Sequence, residues 1–264
     1  MIHLGYGHEL SSHTVAIEAL ALGSCFYNHL HKYLDDPRYS AAPTPSAPTP
    51  PDPLSILHAI RADAAFDGLF DAPGPSNIGA LFAQREAAVL AHWNAWKLVE
   101  PTAQFSASQR AAAALLVGSV EGEHTGPAPF DFFFVHILTS SHAVRILLPA
   151  VPARAQVPLV RQWWLFTVAV YIAQLRPRVD IGLIEGVDLR GRGWEDVGRS
   201  ALGGDGRFDA HYVKVLRALR EAAKTWGDED DFYLKAAIRF VDNWGGWKGF
   251  GVDVMEDESA YHGG

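Results

Sequence analysis

The long apolar stretches of this chain lack the period-two alternation of a half-buried strand, and that absence constrains the fold more than any motif does. Within residues 12–33, Val15, Leu20, Leu22 and Phe26 recur at roughly helical spacing, which predicts a helix with Gly23 as its weak point. Helical patterns are expected again over 54–66, 78–98, 108–120, 159–175, 210–224 and 232–241. The segment DFFFVHILTSSHAVRILLP is aromatic and β-branched enough for a buried strand, but its length favours a helix. No Asn-Gly or Asp-Gly hairpin turn stands between alternating runs, since Asp205-Gly206 precedes a helix start. The expected fold class is therefore all-α, a single multi-helix domain over 1–264 with long loops. One of those loops is the proline-rich stretch 41–53, where missing backbone donors hold the chain extended.

A chain of 264 residues, 48% of them hydrophobic, is long enough to bury a sizeable core. Its net charge of -8 repels phosphate backbones and anionic lipid, so neither nucleic acid nor a membrane surface is expected as a partner. The most apolar stretch, 162–175, is bounded by Arg161 and Arg176 and falls short of the about 20 residues a spanning helix needs. It reads as a buried core helix. The N-terminus carries no secretory pattern, and the single cysteine, Cys25, can form neither an intrachain disulfide nor a cysteine zinc cluster. A reducing, cytoplasmic location is expected, with Cys25 in the core among Ala, Leu and Phe.

Common catalytic signatures are missing: no G-x-S-x-G, P-loop, H-E-x-x-H or strand-linked G-x-G-x-x-G occurs. The chemistry must be sought among the 12 histidines, several of which lie in apolar segments where an unpartnered ring is costly. His136 and His142 share one segment. On a straight helix six residues turn through about 600°, leaving the rings roughly 120° apart, so they meet only if Thr139-Ser140-Ser141 bends or breaks the helix. Two separate core histidines and two co-ligands of a metal both remain open on spacing. His211 and Lys214, three apart on a helix that Asp209 is placed to cap, share a face. An ammonium has no lone pair, so Lys214 ligates only as a free amine or a carbamate, and a solvated lysine is its plain reading. His3 lies beside Gly5 and Gly7, which permit unusual backbone geometry or close approach, and Glu9 is placed to orient an imidazole.

The blocks IHLGYGHEL with AIEALA, DFFFVHILTSSHAVRILLP, RPRVD, WEDV from Trp194, and DAHYVKVLRAL resemble, in order, those of the fungal questin oxidase-like family. The resemblance covers nearly the whole chain. It implies a helical oxidoreductase that uses O2 to open the ring of an anthraquinone-type aromatic polyketide. It also implies a non-haem Fe(II) held by histidines and a carboxylated lysine, or a Baeyer-Villiger-type oxidation with NADPH. The implied metal ligands are His3, His136, His142, His211 and Lys214, with Lys214 and His211 closest to catalysis. Family members usually continue upstream, so the chain is expected to be N-terminally incomplete, and the fourth histidine ligand is His3 or an upstream residue. Phe132, Phe133, Phe134, Trp163 and Trp164 line a flat cavity or pack the core, and Arg145 is placed to orient a phenolate. The rivals are a metal-free NADPH monooxygenase and a non-catalytic helical relative that has lost its site.

Overall fold

The computed structural model describes residues 1–40, 52–120 and 127–250, so most of the proline-rich stretch 41–53 lies outside the described residues, as do His124 and His262. The helices are α1 (Ile2–Glu9), α2 (His13–Cys25), α3 (Lys32–Asp35), α4 (Pro37–Ser40), α5 (Pro53–Ala62), α6 (Asn77–Ala95), α7 (Pro101–Val117), α8 (Phe132–Leu147), α9 (Ala153–Ala173), α10 (Gly182–Glu185), α11 (Trp194–Gly203), α12 (Ala210–Trp226) and α13 (Phe232–Asp242). Among the described residues, strands are confined to β1 (Ser119–Val120), β2 (Ala128–Asp131), β3 (Arg178–Val179) and β4 (Trp244–Lys248). The all-α expectation holds, and the ambiguous segment after Asp131 is a helix.

Local chemistry explains where helices begin. The Asp52 carboxylate accepts from the backbone N–H groups of Leu54 and Ser55, and Pro53 takes the first helical position, where its missing N–H is not needed. Asp131 does the same for Phe133 and Phe134 at the start of α8, and Asp209 for His211 and Tyr212 at the start of α12. The family-like block RPRVD is structural: Arg176 reaches across to donate to the carbonyls of Ile60, Arg61 and Asp63, closing the C-terminal end of α5.

The apolar segment 162–175 forms the later half of α9, a helix buried on most of its circumference because it packs against α5, α6, α7 and α8. Among the described residues no helix is long and apolar enough to cross a membrane. The side chains of Trp163, Trp164, Phe134, Tyr171 and Phe105 are fully buried at the centre. Phe134, Trp163 and Trp164 are thus core residues and do not line the cavity described below. The Trp163 ring N–H donates to the Ile137 carbonyl, which ties α9 to α8.

The two short sheets are what sequence periodicity missed. β1 pairs antiparallel with β3, and β2 pairs parallel with β4 through Ala128↔Trp244, Phe130↔Trp247 and Asp131↔Lys248. The second pairing brings the segment after α13 against the start of α8.

The helix expected across 12–33 ends at Cys25, and the chain turns before a short 3-10 segment, His29–His31. Cys25 is exposed, contrary to the core expectation, because α2 packs chiefly on α1 and buries no residue of its own. Gly5 and Gly7 are helical, so close approach and not backbone freedom is their use. A Cβ on Gly5 would stand 2.5 Å from the Cβ of Ala143 on α8, and one on Gly7 would stand 2.8 Å from the backbone nitrogen of Ala16 on α2.

Two glycine substitutions are expected to move stability in opposite directions. Gly5→Ala forces α1 off α8 and costs about 1–3 kcal/mol, as overpacking does, whereas Gly23→Ala, with nothing within 4 Å of the added methyl, stabilises α2 by about 0.5–1 kcal/mol. Thermal melting followed by circular dichroism checks both, and a Gly5→Ala protein that melts with the parent would contradict the packing described.

Candidate functional site

α8 and α12 pack together and carry the imidazoles. His136, in the second turn of α8, and His211, in the first turn of α12, have ring centroids 5.1 Å apart. Phe132 stands against both rings at 4.7 and 4.8 Å, and Trp247 from β4 reaches the same ring cluster. Trp247 also donates its ring N–H to the Asp209 carboxylate at 2.8 Å, the carboxylate that caps α12.

The His136 Nδ1 lies 2.7 Å from the Phe132 carbonyl, which can only accept, so Nδ1 carries the proton and Nε2 keeps a free lone pair. Burial pushes the His136 pKa down against the hydrogen bond to the Phe132 carbonyl, which raises it, and the Lys214 charge adds to the lowering. His211 is lowered in the same way by burial, then by His136 and Lys214, with Asp209 opposing. Both rings are therefore neutral at pH 7, with lone pairs available for a proton or a cation. Lys214 acts electrostatically on both rings, and its amine lies 6.0 Å from the Tyr6 ring centre. It is half-buried and has no Asp or Glu ion-pair partner among the described residues.

His142 goes elsewhere. The hydroxyls of Thr139, Ser140 and Ser141 do bond back to the carbonyls of Val135, Ile137 and Leu138, yet α8 runs unbroken, so the angle expected between the rings persists. His142 is fully buried with Nδ1 3.3 Å from an Arg145 guanidinium nitrogen and Nε2 3.3 Å from a Glu9 carboxylate oxygen. Arginine only donates, so Nδ1 accepts, Nε2–H donates to Glu9, and both ring nitrogens are engaged. Burial and the Arg145 charge lower this ring's pKa, in keeping with the neutral form. Glu9 also binds Arg217 at 2.8 Å, and Arg145 donates to Thr225. Arg145 thus serves this buried network and not the cavity wall. Glu9 does orient an imidazole, that of His142.

An apolar cavity of about 550 Å³ opens beside the imidazole pair. Phe132, Phe133, Phe166 and Leu22 form its walls, and His136, Ser140 and the exposed His3 supply polar groups. The structure thus brings His136, His211 and Lys214 together, places His3 in the lining of the same cavity as His136, and turns His142 away. Among the described residues no three His, Cys, Asp or Glu side chains are grouped closely enough to hold a metal ion. Phe166 and Trp247 had no signal in their local sequence, because each reaches the site only through packing with distant segments.

The helical scaffold thus sets the His136 imidazole, paired with that of His211, into the wall of an apolar cavity of small-molecule size. The chain belongs to the questin oxidase-like family, whose sequence profile matches residues 1–219. It is similar to a Baeyer-Villiger oxidase of Pestalotiopsis microspora, 24% identical over 241 residues, which cover 83% of this chain and 51% of the relative. The chain spans about half the length of that curated relative.

The histidine environments are directly measurable in metal-free protein. In NMR titrations of the ring protons, His136 and His211 are expected to titrate below the ordinary histidine value of about 6.5. Lys214→Met, which removes a cation facing both, is expected to raise both midpoints. Because the folded midpoints lie below the unfolded ones, the unfolded chain binds more protons in the window just below about pH 6.5, and stability falls as pH drops through it. Midpoints at or above 6.5 would refute the desolvated pair.

Proposed function

We propose that this chain forms the reactive part of an oxygen-dependent oxidoreductase that oxidises an anthraquinone-type aromatic polyketide and opens its ring. The observation that carries the reading is the neutral His136–His211 pair, with His136 in the wall of a cavity otherwise built from aromatic and aliphatic side chains. Family membership and the Baeyer-Villiger oxidase relative support the oxidative class. A flat polycycle lies between aromatic walls that exclude water. His136, with Nδ1 committed to Phe132, offers Nε2 as acceptor for a phenolic proton, whose ordinary pKa is about 10. The resulting phenolate makes the ring electron-rich and ready for oxidation.

The donor set fits non-haem iron on one condition. Imidazole nitrogens of His136 and His211 and an oxygen of a carboxylated Lys214 would make the two-histidine, one-carboxylate set that suits Fe(II). Lys214 offers a half-buried amine with no Asp or Glu ion-pair partner among the described residues, a setting compatible with carboxylation. His3, in the lining of the same cavity, is the candidate fourth donor, while His142 has no free nitrogen to offer. Bound there, ferrous iron would supply O2 activation beside the substrate. The Baeyer-Villiger name of the relative supports oxygen insertion next to a carbonyl as the outcome, with NADPH as the reductant in a metal-free version.

His136→Ala and His211→Ala are each expected to lower O2-dependent consumption of a hydroxyanthraquinone by about 100-fold or more, the usual worth of a positioned proton acceptor, while ligand binding changes little. Unchanged turnover in both would end the proposal. Lys214→Arg, which cannot be carboxylated, is expected to abolish iron retention and activity together, and labelled bicarbonate is expected to give a carbamate carbon signal in the parent and none in the variant. Full activity of Lys214→Arg, or NADPH-dependent turnover insensitive to chelators, would remove the iron and leave the imidazole pair.

A further inference from the structure

A second cavity, of about 310 Å³, lies on the far side of Phe166, and the Phe166 and Met1 side chains line both cavities. Its walls include Leu34, Phe82 and Leu165, and its polar groups are Asn28, His31 and Gln162. Asn28 spends its side-chain oxygen on the Leu30 N–H, and His31 is stacked on Tyr27 with ring centres 3.8 Å apart. Gln162 is half-buried and makes no hydrogen bond among the described residues. No group of the proposed chemistry stands in this second cavity, whose lining combines apolar side chains with the Gln162 amide, a set that suits a ligand with a greasy stem and a polar group.

We infer that the second cavity is a subsite for a non-reacting arm of the same substrate, an aliphatic substituent on the aromatic ring system that ends in a hydroxyl or carbonyl group held by Gln162. Phe166 is the shared wall over which the arm passes. The inference rests on the ring-opening reading above and adds the substrate class: substituted polycycles in preference to bare ones. Phe166 and Met1 belong to the lining of both cavities, so the second is the neighbouring space into which an occupant of the first can extend. The apolar walls account for affinity and the amide for the choice of arm, because a polar arm end gives the half-buried Gln162 amide a hydrogen bond that a purely aliphatic arm cannot. Arm binding far from the reacting carbon also holds the ring in register beside His136.

The test compares two probes by quenching of tryptophan fluorescence in the purified chain: 1,8-dihydroxyanthraquinone, and the same ring carrying a hexyl chain that ends in a hydroxyl. The armed probe is expected to bind about tenfold or more tightly. Ala169→Leu, which fills the second cavity, and Gln162→Leu, which removes only the amide at a half-buried position, are expected to erase that gain while the bare ring binds within about twofold of the parent. Gln162→Leu keeps the test valid should the buried Ala169 position reject a larger side chain. Equal binding of the two probes by the parent, or a gain that survives in Gln162→Leu, overturns the subsite and leaves the ring-opening reading intact. Failure of both probes to bind the parent overturns both.

Discussion

Two aspartates at helix N-termini decide where the paired imidazoles of His136 and His211 stand. Asp131 and Asp209 each accept backbone N–H bonds from the first turn of the helix they begin, which satisfies groups that no helical carbonyl can reach. His211 lies two residues inside one cap and His136 five residues inside the other, so fixing the caps fixes the rings. Trp247 couples the two by donating to Asp209 while its strand pairs with the strand that ends in Asp131. The small parallel sheet β2–β4 is thus the clamp that holds two helix starts side by side. An acidic cap also favours the partial positive charge of a helix N-terminus, so the same carboxylates that order the backbone offset the cost of placing polar rings nearby.

The site depends on a contrast between two ways of satisfying a buried histidine. His142 has both nitrogens engaged, one by Arg145 and one by Glu9, and so its role is to fasten α1 to α8 and α12. His136 has only Nδ1 engaged, and its other nitrogen is left for a ligand. The difference follows from the faces of α8 on which they lie: one face meets the polar side of α1, the other meets the aromatic cavity. Burial lowers the pKa of both rings, but only at His136 does this leave a lone pair where a substrate or cation can use it.

The α1–α2 segment connects this network to the cavity. Gly5 allows α1 to touch the α8 backbone at Ala143, and Glu9 anchors the same helix by charge. With α1 held at its last turn, its first residues, His3 among them, form part of the cavity wall. α2 then extends Ala19 and Leu22 over the cavity while its outer face, with Ile17 and Leu20, remains exposed.

Hydrophobic periodicity determined the helical class and the approximate extent of most helices, because burying one face of a helix leaves a local record every three or four residues. Local sequence also placed the Asp209 cap, the core position of the segment 162–175, and the shared face of His211 and Lys214, all of which depend on neighbours close in sequence, whereas the Asp131 cap emerged only with the structure. It could not determine that Cys25 is exposed, since an Ala- and Leu-rich helix reads as buried whether or not a partner covers it. Nor could it separate His136 from His142. Tertiary structure decided that, through Glu9 and Arg145 on one side and His211 on the other. The pairing of β2 with β4, the arrival of Trp247 at Asp209 and the place of Phe166 between two cavities were decided only by packing, because each joins segments far apart in the chain whose contact no local pattern records.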